Sequence, residues 1–285
     1  MTFNTTEQNG SFMMNNKVIT LILVGIILMI GSVLYYNKTH IKIGETNESI
    51  FTTDLRIQDL TYDGEYPDTS ELKNFKNLRS LYYIVPQNND ISFLNNMNDL
   101  ESLDLVVTNV KDLTPISNCK KLKRLRLVGV NGNDLRFLNE VNDLTDLSID
   151  GGPENSCTDL NDICQLRQLK YLEITHMPVT DISAIKRFDK LEYVEMHFTN
   201  IKSIPDMSDL HELFDLQMSF NDELEDLSYI GKPPKLQFIN IKSTNISNID
   251  TLVDLESLSR ISIEKTKVSD ETIKKFNDRN IELYF

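Results

Sequence analysis

Residues 100–122 read LESLDLVVTNVKDLTPISNCKKL, and most of the chain repeats this pattern. Leu100, Leu103 and Leu105 have the spacing L-x-x-L-x-L, which predicts a short strand with its leucines on one side and its polar residues on the other. Apolar residues then recur at steps of three, at Leu113, Ile116, Cys119 and Leu122. That spacing suits 3₁₀ turns, so the stretch predicts one strand followed by a coil that returns to the start of the next strand.

The strand motif occurs in ten copies, most of them 22 residues apart. The copies are Ile57-Leu60-Tyr62, Leu78-Leu81-Tyr83, Leu100-Leu103-Leu105, Leu122-Leu125-Leu127, Leu144-Leu147-Ile149, Leu169-Leu172-Ile174, Leu191-Val194-Met196, Leu213-Leu216-Met218, Leu236-Ile239-Ile241 and Leu258-Ile261-Ile263. This period is typical of leucine-rich repeats, in which stacked coils bury a continuous core. The sequence therefore predicts an α/β leucine-rich repeat solenoid over residues 51–285, with a parallel concave sheet and a convex side of 3₁₀ turns and short helices.

Three local features modify the regular pattern. The step from Leu144 to Leu169 is 25 residues long and contains DGGPENSCTD, residues 150–159, which predicts a loop because of its glycines and proline. Ser269 is a good helix cap before Asp270, and alternating apolar residues at 281–285 predict a last strand. Cys157 and Cys164 are close enough in sequence to pair, but three cysteines in all are too few for a disulfide framework.

The first 50 residues differ in composition from the repeats. Residues 1–17 are polar and predict a disordered tail. Residues 18–36, VITLILVGIILMIGSVLYY, contain no charge and are long enough in a helix to cross a membrane, so they predict a single transmembrane anchor. A cleaved signal peptide is the alternative, although the apolar run is long and Ile30-Gly31-Ser32 is a poor cleavage site. Residues 37–50 are then a polar tether.

Charge and motif content exclude several classes of function. The net charge is −14; residues 1–42 carry +2 and the remainder −16. Nucleic acid and anionic membrane surfaces attract basic proteins, so we expect no nucleic-acid partner. No P-loop, H-E-x-x-H, G-x-S-x-G or dinucleotide motif is present, and the acidic run at 222–226 lacks calcium-loop spacing. We therefore expect no enzymatic activity, no cofactor, no metal and no small-molecule substrate.

Outward positions of neighbouring strands should form columns on the concave face. Tyr171 and Tyr193 should then be adjacent, with Glu173, Glu195 and His197 beside them. The alternative is that the two rings only cover each other as cross-strand neighbours. Further candidate ligand-binding positions on this face are Phe238, Arg124 and Arg126. The two arginines lie between Asp104 and Asp146, so internal charge balance is an alternative to an acidic-ligand site.

Residues 169–190, LKYLEITHMPVTDISAIKRFDK, and 236–256, LQFINIKSTNISNIDTLVDLE, resemble the 22-residue repeats of the internalin family of bacterial surface proteins. The family pattern L-x-x-L-x-L-x-x-T-x-I-x-D-I-x-x-L also matches in part at 199–201 and 244–246. The resemblance covers about residues 55–285. It implies a curved solenoid, a concave ligand-binding sheet and protein–protein contact at a bacterial cell surface.

The chain departs from that family in ways that affect the functional expectation. No immunoglobulin-like domain and no L-P-x-T-G-type sorting tail follows the repeats, so host-cell adhesion is not implied. Similar repeats also occur in intracellular phosphatase-binding scaffolds. We therefore expect a single-pass membrane protein whose solenoid lies outside the cytoplasm and binds a protein or peptide. A membrane scaffold facing a cytosolic partner and a structural spacer are the alternatives.

Overall fold

The computed structural model describes residues 40–43, 46–49, 54–57, 70–75, 77–83, 89–107, 110–132 and 134–285. The predicted tail at 1–17 and the predicted anchor at 18–36 lie outside these ranges. Within them, no helix has the length and apolar character needed to cross a membrane. The part of the predicted tether that is described forms a two-stranded antiparallel hairpin, in which His40 lies opposite Ser49.

The fold is organised around one parallel sheet whose eleven strands follow each other in chain order. The hairpin strands are β1 (His40–Ile43) and β2 (Thr46–Ser49), and the strands of the sheet are β3 (Asp54–Ile57), β4 (Ser80–Tyr83), β5 (Ser102–Val106), β6 (Arg124–Gly132), β7 (Asp146–Asn155), β8 (Tyr171–Thr175), β9 (Tyr193–His197), β10 (Asp215–Gln217), β11 (Phe238–Asn240), β12 (Arg260–Ser262) and β13 (Glu282–Tyr284). This arrangement confirms the predicted leucine-rich repeat solenoid.

The hydrophobic core lies behind the sheet and is built as the leucine spacing predicts. Leu103, Leu125 and Leu147 lie opposite one another on successive strands and are almost completely buried. Behind them the chain forms 3₁₀ helices at Ser70–Asn74, Ser92–Asn96, Thr114–Asn118, Arg136–Glu140, Asn161–Ile163, Ser183–Arg187 and Asp250–Asp254. Each coil thus buries its apolar residues against the coils before and after it, and the sheet presents its other face to solvent. We call the solvent-facing side chains of the sheet the concave face.

The first coil differs from the prediction. The motif was placed at Ile57-Leu60-Tyr62, whereas β3 pairs Leu55 with Leu81 and Ile57 with Tyr83. The sequence Asp-Leu-Arg-Ile at 54–57 has the same alternation of polar and apolar residues five positions earlier, so alternation alone cannot fix the register. The first coil is consequently longer than the 22-residue period.

The segment 150–159 also differs from the predicted loop. Strand β7 continues to Asn155 because β6 is extended as well, and the two pair through an irregular register up to Gly132. Glycine permits this close approach: a Cβ at Gly151 would lie 2.2 Å from the carbonyl oxygen of His176. The inserted residues therefore extend the sheet at one edge of the concave face.

The carboxyl-terminal coil follows the prediction. Ser269 caps helix α1 (Asp270–Asn277), and its Oγ accepts a hydrogen bond from the Thr272 backbone N–H. Strand β13 then pairs with β12. All three cysteines are free thiols, and Cys119 occupies the predicted core position, where burial raises its pKa to about 12.

Candidate functional site

Two tyrosines stack at the centre of the concave face. Tyr171 on β8 and Tyr193 on β9 are direct cross-strand partners, and their ring centroids are 4.7 Å apart with an interplanar angle of 3°. Both side chains are half-buried. The Tyr171 hydroxyl donates a hydrogen bond of 3.1 Å to Glu173, and the Tyr193 hydroxyl donates one of 2.5 Å to Glu195. Burial, together with these carboxylates, raises the pKa of both phenols, so they remain protonated donors.

The two glutamates face each other without a compensating cation. Glu173 and Glu195 are paired in register on β8 and β9, and like charges directly opposite in a sheet are destabilising. Among the described residues, no lysine or arginine lies within ion-pair distance of either carboxylate. We call Tyr171, Tyr193, Glu173 and Glu195 the tyrosine–glutamate cluster. Its hydroxyl hydrogens are already donated, so it offers ring surface and carboxylate oxygens to a ligand.

Asp215 on β10 extends the acidic character of the cluster. It lies directly opposite Tyr193 in the sheet register, and Gln217 donates it a hydrogen bond of 2.5 Å. Burial, with the nearby charge of Glu195, raises the pKa of the Asp215 carboxyl above its usual range. A third carboxyl group therefore lies beside the tyrosine pair with no basic partner among the described residues.

His197 is held between the cluster and the end of strand β9. Its Nδ1 lies 3.2 Å from Glu195 Oε1, and its side chain is 20% exposed. Its Nε2 is buried and has no hydrogen-bond partner in the described part of the chain. Burial lowers the pKa of the imidazole, because a protonated Nε2 would have no acceptor. The neutral ring therefore leaves the charge of Glu195 uncompensated near neutral pH.

The other predicted site residues lie apart from this cluster. Arg126 pairs with Asp104 at 3.3 Å, and the Arg124 Nε lies 4.0 Å from Asp146. These contacts favour the charge-balance interpretation of the two arginines. Phe238 lies on β11, separated from Tyr193 by β10, and its ring is covered by the Arg260 guanidinium at 4.9 Å. The structure thus brings together five of the eight predicted residues.

A second aromatic group was missed by the sequence analysis. The rings of His176, Phe198 and Phe220 stack in one row just beyond the ends of β8, β9 and β10, with successive centroids 4.7 Å and 4.8 Å apart and both interplanar angles 7°. The Lys242 ammonium lies 5.9 Å from the Phe220 centroid at one end of the row. At the other end, His176 Nδ1 lies 2.8 Å from Asp150 Oδ1. We call these three stacked side chains the aromatic row.

The backbone of the aromatic row is left-handed. The φ angles of His176, Phe198 and Phe220 are +52°, +54° and +58°. Bulky residues are rare in this region, where glycine and asparagine are favoured. The recurrence of rings at intervals of 22 residues was the available sequence signal, but these rings lie one position after Thr175, His197 and Ser219, where the outward alternation of the strand motif ends. The His197 ring meets Phe220 edge-on, with centroids 6.3 Å apart, so the row adjoins the tyrosine–glutamate cluster.

Solved leucine-rich repeat structures are similar to this chain. An internalin, inlF, from Listeria monocytogenes is 24% identical with a TM-score of 0.65, and the match covers 76% of this chain and 64% of that one. The functional domain of InlJ from Listeria monocytogenes is 18% identical with a TM-score of 0.56, covering 78% of this chain and 47% of the other. The ectodomain of the plant membrane receptor kinase GASSHO1/SCHENGEN3 from Arabidopsis thaliana, in complex with CASPARIAN STRIP INTEGRITY FACTOR 2, is 15% identical with a TM-score of 0.51, covering 76% and 31%.

These similarities define the class as a leucine-rich repeat solenoid, and at the level of the fold they confirm the resemblance to internalins. The chain spans less than two thirds of the length of each of these proteins. No protein-family model and no curated protein sequence matches it. Within the described residues there is no group of three or more metal-ligating side chains placed to hold an ion.

Proposed function

We propose that this protein is a non-catalytic binding module that holds a protein or peptide partner against the tyrosine–glutamate cluster. The observation that carries the proposal is the in-register pair Glu173 and Glu195, two carboxylates with no lysine or arginine partner among the described residues. The His197 ring lies 3.2 Å from Glu195, but burial lowers its pKa and keeps it neutral near neutral pH. By contrast, Lys170 and Glu192 on the same two coils form an ion pair of 2.7 Å. A positively charged side chain of the partner would offset the repulsion between the Glu173 and Glu195 carboxylates.

The chemistry of the cluster defines the contact surface of the partner. The stacked, half-buried tyrosines supply apolar area, and aromatic residues at interface centres are frequent hot spots. The carboxylates accept hydrogen bonds from an arginine or lysine, which can also lie on a ring face. The partner is therefore basic at the contact, and its affinity falls as salt screens these charges.

We also propose a location for the binding module. The uncharged stretch 18–36 serves as a single-pass anchor, and the solenoid lies outside the cytoplasm, as the similarity to internalin repeats supports. Protease added to intact cells tests the orientation. Digestion of the solenoid is expected, and full protection would favour the scaffold that faces a cytosolic partner.

A pull-down with matched tyrosine variants tests the binding proposal. The full chain, a Tyr171→Ala/Tyr193→Ala double variant and a Tyr229→Ala control are immobilised and exposed to extracts and secreted proteins from the source cells. Tyr229 is 68% exposed and lies between β10 and β11, away from the cluster. We expect a partner retained by the full chain and the control and lost by the double variant. Equal recovery by all three would place binding elsewhere, and no recovery would favour the structural spacer.

A further inference from the structure

We infer that the aromatic row is a second subsite of the same binding face, and that it takes an aromatic side chain of an extended partner segment three residues from its basic residue. The inference rests on the proposed function, because the basic residue occupies the tyrosine–glutamate cluster. It specifies which kind of side chain of the partner makes the second contact and how many residues separate that side chain from the basic residue.

The conformation of the row is the first observation behind this inference. Left-handed backbone disfavours L-residues other than asparagine and aspartate, because Cβ comes too close to the following carbonyl oxygen. The same left-handed turn recurs at Ser243 and Lys265 in the next two coils, so the turn belongs to the repeat and does not require a ring. What distinguishes His176, Phe198 and Phe220 is that three successive coils place a ring at this turn, although asparagine would fit it with less strain.

The exposed surface of the row indicates the kind of group that would bind. Phe198 is 47% exposed although both faces of its ring are covered, by His176 on one side and Phe220 on the other. What remains accessible is the ring edge, which carries partial positive charge and prefers the face of another aromatic ring. An aromatic side chain lying across these edges would make such edge-to-face contacts.

A pocket beside the row provides space for that side chain. Its volume is about 520 Å³, and its lining combines Pro153, Pro178 and Phe198 with polar side chains such as Asn155 and Asn200. The extension of β7 forms one wall, so the pocket exists because of the inserted residues at 150–159. The carboxylate of Asp150 at its margin is 34% exposed, and the exposed Glu154 follows it on the same strand. These acids give the pocket the same charge preference as the cluster.

The distance between the two subsites sets the spacing in the partner. Glu173 lies on β8 and His176 follows the end of that strand, three residues later, so the two positions are at most about 10 Å apart. A polyproline II segment rises about 3.1 Å per residue with three residues per turn, so its residues i and i+3 lie on the same side about 9 Å apart. A segment of the form Arg-Pro-Pro-Phe therefore presents its guanidinium to the glutamates and its ring to the row.

Fluorescence anisotropy with synthetic peptides tests the inference on the full chain. The probe is fluorescein-labelled Gly-Arg-Pro-Pro-Phe-Gly, and the comparison peptides replace its Phe or its Arg by Ala. We expect the probe to bind on the order of tenfold more tightly than the peptide without Phe, as burial of an aromatic side chain implies. In a Phe198→Asn variant this preference is lost. Asparagine tolerates the left-handed turn, so the variant keeps its fold.

Controls separate this inference from the proposed function. A Phe214→Asn variant removes an exposed phenylalanine just before β10, outside the row, and should retain the preference for Phe. Equal binding of the peptides with and without Phe, a preference that persists in Phe198→Asn, or no binding of the probe overturns the inference. A further outcome is a probe that binds through its Arg alone and loses that binding in Glu195→Gln. This result overturns the inference about the aromatic row but supports the tyrosine–glutamate cluster as the site that binds a basic residue.

Discussion

Replacing Glu195 by glutamine should stabilise the free protein and weaken its binding. Strands are about 4.8 Å apart, and two carboxylates about 6 Å apart repel by about 0.7 kcal/mol in water and about 3 kcal/mol at an effective dielectric of 20. Glu195 is 21% exposed, so we expect a gain of about 1 kcal/mol. Glutamine can still accept the Tyr193 hydroxyl hydrogen. For a domain of this size, the gain raises the melting temperature by about 2–4 °C.

Glu192→Gln is the matched control for this measurement. Glu192 precedes the same strand but pairs with Lys170 at 2.7 Å, so removing its charge removes an attraction. Circular dichroism at pH 7.5 and low salt should show a higher melting temperature for Glu195→Gln and an unchanged or lower one for Glu192→Gln. High salt should reduce the difference. Equal or lower stability of Glu195→Gln would refute the conclusion that the cluster holds uncompensated charge.

Three further predictions concern stability. Asn221 is fully buried and makes four hydrogen bonds, two received from Thr199 and two donated to backbone carbonyls, so Asn221→Ala should cost about 3–4 kcal/mol in urea denaturation. Leu147 is completely buried, so Leu147→Ala should cost about 2–5 kcal/mol and Leu147→Asp still more, and unchanged melting would contradict the register. Burial lowers the pKa of the His197 imidazole, so as pH falls the unfolded chain takes up a proton at this residue before the folded chain does. The free energy of unfolding should therefore decrease as pH drops below about 6.5, and His197→Gln should make it less dependent on pH.

The repeat spacing was sufficient to predict most of the sheet. Nine of the ten predicted copies lie on neighbouring strands in the expected register, because a one-residue slip would expose every inward leucine. The stacking of Tyr171 on Tyr193 follows from the same register. The first coil could not be placed this way, since Leu55 and Ile57 satisfy the alternation as well as the predicted residues do.

The features that sequence patterns did not predict depend on interactions between coils. Strand β7 extends through two glycines and a proline because β6 offers it a partner, against the local turn preference. Phe198 and Phe220 adopt a backbone region that their residue type disfavours, and the stacking of neighbouring rings offsets part of that cost. Neither the extension nor the aromatic row can be derived from one repeat considered alone.

Photo-cross-linking from the concave face shows whether a partner binds at the tyrosine–glutamate cluster. A benzoylphenylalanine replaces Tyr171 in one full chain and Tyr229 in another, and both are irradiated with the partner in the source cells. We expect a partner adduct from the Tyr171 position, lost when Glu173 and Glu195 are both changed to glutamine, and none from the Tyr229 position. An adduct from the Tyr229 position alone, or one from Tyr171 that persists without both carboxylates, would contradict this expectation.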